Sequence, residues 1–446
     1  MNWIQKIFFV VFTLSASIIE LKAQIITTFA GGGSSFGDGG PATAAALNAP
    51  NKCIFDKYGN FYFAEPLEGR IRKIDTNGNI STVAGTGTNG YNGDNISATS
   101  AELNNPPAII FDAMTNLYIA DGANNRIRKV DAVTGIITTV AGIGEVGYNG
   151  DNIPATSAKI YSPTDISFDK TGNLFIADWS NGRVRKVDTM GIITTFAGTG
   201  VIGTSGDGGP ATSATFKGIY GLAVDDTGNL FIADWDGGQI RKVNTSGIIS
   251  TFAGTGLITY NGDGISANAA NIAPLKITFN NIGELCIADD PNDRIRMIDN
   301  SGNIHTIAGN GGCCYSGDNG PADSAEIGGV AGVAIDSCGN IYISQVDNPR
   351  IRKVTFNPPC FPEKLPAITT NEVSMHPNPA VNELYVETVS SNAEYVLFNI
   401  TGIIEQTGTL QAGNNQIDIS KLPMGLYILM LTTADGQRVV RKVVKE

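Results

Sequence analysis

Ile25-Ile26-Thr27-Thr28-Phe29-Ala30-Gly31 is the phrase on which the fold turns, because it returns five more times. Its Phe29 has equivalents at Val83, Val140, Phe196, Phe252 and Ile307, separated by 54, 57, 56, 56 and 55 residues. A second phrase, Arg70-Ile71-Arg72-Lys73, keeps the same period at Arg126, Arg183, Gln239, Arg294 and Arg350. A third is Asp169-Lys170-Thr171-Gly172-Asn173-Leu174-Phe175-Ile176-Ala177-Asp178. A fixed period of this length marks a solenoid or a propeller. In the third repeat the strand candidates are Asp165–Phe168, Leu174–Ala177, Val184–Val187 and Ile192–Ala197, all rich in residues that suit a pleated, half-buried surface. Gly172 supplies the positive φ that the hairpin between the first two needs. Four antiparallel strands per repeat make a propeller blade, so six repeats predict six blades.

The ends of the repeat region predict closure. The chain enters on the last phrase of a repeat, Ile25–Gly31, and leaves after Arg350–Val354 without that phrase. The N-terminal strand is therefore expected to complete the sixth blade and remove an open edge.

Composition agrees with an all-β chain full of turns. Glycine numbers 54 among 446 residues, and charged residues are only 16%. The formal net charge of -12 argues against nucleic acid as a partner, since phosphate binding needs a basic face. The two histidines, His305 and His376, leave little for histidine-rich metal sites, and no cofactor is predicted. Residues 1–23 read as a signal peptide, with Lys6, an apolar run from Ile7 to Leu14, and Leu21-Lys22-Ala23 before the cut. No later stretch is apolar for long enough to predict a transmembrane helix. Export permits disulfides among Cys53, Cys286, Cys313, Cys314, Cys338 and Cys360, with Cys338–Cys360 or a bridge from Cys313 or Cys314 as possibilities.

The repeats resemble the NHL family of β-propellers over roughly residues 25–354, carried by Gly228-Asn229-Leu230-Phe231-Ile232-Ala233-Asp234 and Ile240-Arg241-Lys242-Val243. Four prolines, Pro358, Pro359, Pro362 and Pro366, predict a linker over 355–371. Beyond it, strand candidates at Leu384–Glu387, Tyr395–Ile400, Gln416–Ile419, Leu426–Thr432 and Val439–Val444 predict a small immunoglobulin-like β-sandwich over 372–446. This region resembles the C-terminal sorting domain of type IX secretion. The resemblance rests on His376-Pro377-Asn378-Pro379, Phe398-Asn399-Ile400-Thr401-Gly402, Ile419-Ser420-Lys421-Leu422-Pro423-Met424-Gly425-Leu426-Tyr427-Ile428 and Arg441-Lys442-Val443-Val444-Lys445. It implies the type IX machinery as a partner. It also implies passage from periplasm across the outer membrane of a Gram-negative bacterium, ending in release or surface attachment.

In such blades the b–c turns and d–a loops share one face, where function is sought. There the sequence places Asp38, Asp94, Asp151, Asp207, Asp263 and Asp318 in the loops. It places Glu65, Asp121, Asp178, Asp234 and Asp289 at the turns, with Gln345 in the sixth repeat. Turn capping and ion pairs between blades, with arginines such as Arg72 and Arg128, are the expected roles. Tyr91, Tyr148, Tyr260 and Tyr315 stand three residues before a loop aspartate. Trp179 and Trp235 follow the Ala-Asp phrase in adjacent repeats. These six aromatics are the candidate binding residues, for a glycan or protein ligand. The expected function is a non-catalytic binding module. The alternative is a metal-dependent lactonase-like, esterase-like or lyase-like propeller enzyme, with carboxylates converging on the central channel.

Overall fold

The computed structural model describes residues 24–35, 37–356, 373–388, 393–399, 404–432 and 438–445. The predicted signal peptide, most of the proline-dense segment and Cys360 lie outside these residues.

From Gln24 to Phe356 the described chain forms six consecutive antiparallel sheets of four or five strands. In the third, the strands are Pro163–Phe168, Leu174–Asp178, Arg183–Val187 and Ile192–Ala197, within two residues of the sequence expectation. The hairpin joining the first two is fixed by Asp169, whose Oδ1 accepts from the N–H groups of Thr171 and Asn173, each at 2.9 Å. Gly172 takes φ +86° there. Asp56, Asp112, Asp225 and Asp336 build the same turn in other sheets.

The first strands of the sheets are Cys53–Phe55, Ala108–Phe111, Pro163–Phe168, Ile219–Val224, Pro274–Phe279 and Val330–Ile335. Each touches the next, and the sixth touches the first, so the sheets run round an axis and close. The closing strand is Gln24–Gly31, which pairs antiparallel with Arg350–Phe356, Thr28 opposite Arg352. The core is divided into wedges between neighbouring sheets. One wedge buries Phe175, Ala177 and Val184 of the third sheet against Phe216, Leu222 and Ile232 of the fourth.

Two features depart from expectation. The d–a loops are not plain loops. Four of them contribute a two-residue edge strand, such as Ile96–Ser97 beside Ile136–Ala141, to the sheet that follows. A 3₁₀ turn with a buried alanine comes next, Ala98 in this case. The C-terminal region has seven described strands rather than five. Val373–His376 and Ile404–Leu410 are the additions. The strands form a three-stranded and a four-stranded sheet that share one core, including Leu384, Val386, Leu397, Leu410, Leu429 and Val443.

Candidate functional site

The acid at the end of each second strand organises one face. Asp234 is fully buried and accepts from the N–H groups of Gly218 at 2.7 Å and Lys217 at 3.0 Å, at the entry to its own first strand. Asp178 does the same with Tyr161, Asp121 with Asn104, Asp289 with Ala273 and Glu65 with Asn48. Burial pushes these carboxyls up, Asp121 and Asp178 to about 6, against the opposing pull of those N–H donors and of arginine. The b–c turn and d–a loop of a sheet are thereby tied together on one face.

An arginine completes the tie. Arg72, Arg128, Arg185, Arg241, Arg296 and Arg352 have no exposed surface. Each contacts a loop aspartate: Asp38 at 2.9 Å, Asp94 at 2.9 Å, Asp151 at 3.0 Å, Asp207, Asp263 at 2.9 Å and Asp318 at 2.6 Å. In four sheets the arginine also reaches the strand acid, as in Arg128–Asp121 at 3.4 Å. The expectation of ion pairs between blades is corrected here. Both acids come from the arginine's own repeat, because each loop folds forward over the sheet it precedes and bonds its last strand, Asp38 to Thr82 for example.

The four candidate tyrosines join this assembly. Tyr91 lies over Arg126 and Arg128, at 3.8 and 4.9 Å from ring centre to guanidinium. Tyr148, Tyr260 and Tyr315 repeat the stack. Their hydroxyls donate to Asp151, Asp263 and Asp318. Each is held by the arginines of its own sheet.

The tryptophans are brought together. Trp179 opens a 3₁₀ turn that ends at Gly182, φ +56°. Its ring centre is 5.4 Å from that of Tyr220, and Tyr220 is 5.2 Å from Trp235. Trp235 is oriented by its Nε1–H, which donates to the Asp290 carbonyl at 2.6 Å. All three rings are half-buried. Trp179 and Tyr220 line a pocket of about 430 Å³ at the axis, together with Asn51, Pro107, Leu275 and Lys276.

Beneath the mouth lies a cluster that the sequence analysis missed. Lys52 Nζ sits 2.5 Å from Asp165 Oδ1 and donates to the Ile166 carbonyl at 2.9 Å. Lys276 Nζ is 3.8 Å from Asp165 Oδ2 and donates to the carbonyls of Thr164 and Tyr220, both at 2.6 Å. Burial pulls the Lys276 ammonium down to about 8, with Asp165 raising it and Lys52 lowering it further. The signal was available once the repeats are aligned. This first-strand position reads Lys52, Ala108, Asp165, Gly221, Lys276, Gly332. Long charged side chains from alternate sheets meet where the intervening sheets offer small ones. The ring supplies one carboxylate between two ammonium groups, which repels a divalent cation rather than gathering carboxylates around it.

Cys53 and Cys286 are buried thiols, and the Cys313 and Cys314 sulfurs are 3.9 Å apart, unbonded. His305 is a strand residue paired with Asp299 at 3.1 Å.

Residues 374–446 match the family described as secretion system C-terminal sorting domain, and residues 200–261 match the teneurin NHL domain. Human Teneurin-1 is 32% identical over 240 residues, 47% of this chain and 8% of that protein. Bovine NHL repeat-containing protein 2 is 30% identical over 301 residues, 59% of this chain and 40% of that protein. The chain thus spans well under two thirds of the length of these relatives. Among solved structures, an auxiliary nutrient binding protein from Bacteroides thetaiotaomicron superposes with a TM-score of 0.56 at 17% identity, over 75% of this chain and 77% of that one. The fold is a β-propeller of NHL-type repeats, followed by a type IX sorting domain that marks the chain for export to the cell surface or the medium. Among the described residues no helix is long and apolar enough to cross a membrane.

Proposed function

We propose that this chain is a six-bladed, non-catalytic binding module that captures an extracellular saccharide at its axial mouth. Residues 1–23 are its signal peptide for passage to the periplasm and 24–354 the propeller, whose last strand runs on through Thr355 and Phe356 so that the linker expected over 355–371 starts two residues later. Residues 372–446 form an immunoglobulin-like sorting domain. The observation that carries this reading is the Trp179–Tyr220–Trp235 cluster, of which Trp179 and Tyr220 line the axial pocket. Flat aromatic faces beside carbonyl and ammonium groups suit a sugar ring, which is apolar on its faces and polar at its edges. A pocket of about 430 Å³ suits a small ligand better than a protein surface. A protein described as an auxiliary nutrient binding protein shares this fold.

The test is a glycan array probed with the full exported chain and with Trp179→Ala/Trp235→Ala. The double variant keeps its far-ultraviolet spectrum and melting behaviour and loses the bound glycans. Unchanged affinity for every bound glycan overturns the reading. So does a wild-type protein that binds none.

A further inference from the structure

The floor of the mouth is cationic, and this bears on what the pocket takes. The inference rests on the saccharide reading and narrows it. Asp165 does not neutralise its two lysines equally. It makes a short contact with Lys52 at 2.5 Å, whereas Lys276 stands 3.8 Å away, beyond hydrogen-bond distance. Asp165 is further engaged by backbone, accepting from the N–H groups of Ile166 at 2.8 Å and Leu222 at 2.9 Å. Its charge is therefore committed to Lys52 and to two amides.

The two lysines also point to different levels of the channel. Lys52 bonds the carbonyl of Ile166, one step deeper along the third sheet's first strand. Lys276 bonds the carbonyls of Thr164 and Tyr220, residues that themselves line the mouth. Lys276 is 4% exposed and belongs to the pocket wall. Two carbonyls hold two of its three protons, and the third has only the distant Asp165 carboxylate. Small residues beside it keep this arrangement open. A Cβ at Gly221 would stand 2.9 Å from the Leu275 carbonyl oxygen and 3.2 Å from the Lys276 Cα.

We infer that the axial pocket selects acidic saccharides, with a sugar carboxylate seated over Lys276 while the ring packs on Trp179 and Tyr220. A carboxylate there supplies the acceptor that Lys276 lacks, in a site sheltered enough for the contact to count. The charged groups facing Lys276 are Asp165 and Lys52, and the remaining neighbours are the carbonyl dipoles of Thr164 and Tyr220.

The experiment measures binding of the full exported chain to a panel of uronic-acid oligosaccharides and to their carboxyl-reduced, neutral counterparts. These pairs match in size and differ in charge. At least one acid binds at least tenfold more tightly than its neutral counterpart, as one charge-assisted contact provides. That preference disappears in Lys276→Met. In the wild type it fades as pH rises through about 8, where the ammonium loses its proton, while neutral sugars bind as before. The wild-type pH series decides the matter even if the variant does not fold. Equal binding of acidic and neutral members overturns the inference and leaves the saccharide reading standing. A preference that survives both Lys276→Met and high pH overturns the assignment to Lys276. No binding by any member of a broad sugar panel overturns both readings.

Discussion

Arg128→Met tests the tie that the fold repeats in every sheet. Arg128 has no exposed surface and donates to Asp94 at 2.9 Å, to the Gly93 carbonyl at 2.7 Å and to Asp121 at 3.4 Å. Methionine keeps much of the volume and removes the charge. Breaking a buried pair from one side generally costs about 3–5 kcal/mol. Three details place this case at the lower end. Asp121 keeps the Asn104 N–H at 2.8 Å and the Asn124 amide at 2.9 Å. Its carboxyl already sits near 6, so taking up a proton at neutral pH costs only about 1 kcal/mol. Asp94 is 28% exposed and regains water, so its lost bond and that of Gly93 are each worth about 1 kcal/mol. The expected loss is about 3 kcal/mol, which lowers the melting temperature of a domain this size by roughly 4 °C.

Calorimetric melts of the full exported chain provide the measurement. Arg128→Met melts lower at pH 7, and its deficit narrows as pH falls toward about 6 and levels off below it, where the wild-type Asp121 carboxyl is protonated as well. The sign follows from linkage. The folded-state carboxyl of Asp121 lies above its ordinary value of 3.8, and higher still without Arg128, so in acid the variant's carboxyl is neutral without cost. Arg128→Met with Asp121→Asn recovers part of the loss, because no buried anion is left behind. A variant that melts within about 1 °C of wild type, or a deficit that widens in acid, refutes the account of these arginines.

Two further outcomes follow from local geometry. Gly221→Ala places a Cβ 2.9 Å from the Leu275 carbonyl oxygen and 3.2 Å from both the Lys276 Cα and the Ala233 Cβ, and lowers stability by about 1–3 kcal/mol in the same melts. For Asp169 and Asp225, burial raises the carboxyls, but bonds from Asn173 and Thr171, and from Asn229 and Thr227, outweigh it and hold both below 3.8. Asp169→Ala with Asp225→Ala is therefore destabilising at neutral pH. That difference vanishes as pH falls through the depressed folded values, as paired acid titrations of stability will show.

Much of this architecture is legible in the sequence because the chain solves one packing problem six times. Each Asp-x-x-Gly-Asn turn, each Arg-x-Arg strand and the split final repeat carries its own local reason. The edge strands were not legible. Ile96–Ser97 is two residues long and has no periodicity to detect. The arginines read correctly as ion-paired, but nothing in the sequence says whether a loop leans back on the sheet before it or forward on the sheet after it. In the C-terminal region, Ile404-Glu405-Gln406-Thr407-Gly408-Thr409-Leu410 is too polar and glycine-bearing to announce a strand, yet it pairs along Ala393–Phe398. Lys52, Asp165 and Lys276 escaped notice because charges more than a hundred residues apart gain meaning only when closure brings them to one axis.

The same repetition separates residues that build the fold from residues that give it a purpose. Arginine, loop aspartate and turn glycine recur, and the structure shows what each holds together. The mouth residues do not recur. At the position of Trp179 and Trp235 the other repeats carry Pro66, Gly122, Asp290 and Val346, and at that of Tyr220 they carry Asn51, Pro107, Thr164, Leu275 and Ala331. Those substitutes satisfy the same turn and the same inner strand, so neither location requires an aromatic ring for folding. Three large aromatics placed independently at such permissive positions, in two neighbouring sheets, nevertheless meet, with Trp179 and Trp235 at 5.4 and 5.2 Å from Tyr220, beside a buried lysine. A ring built from equivalent parts is stabilised by its symmetry, and it acquires selectivity for one ligand only where that symmetry is broken. Here the break falls at the rim of the axial pocket.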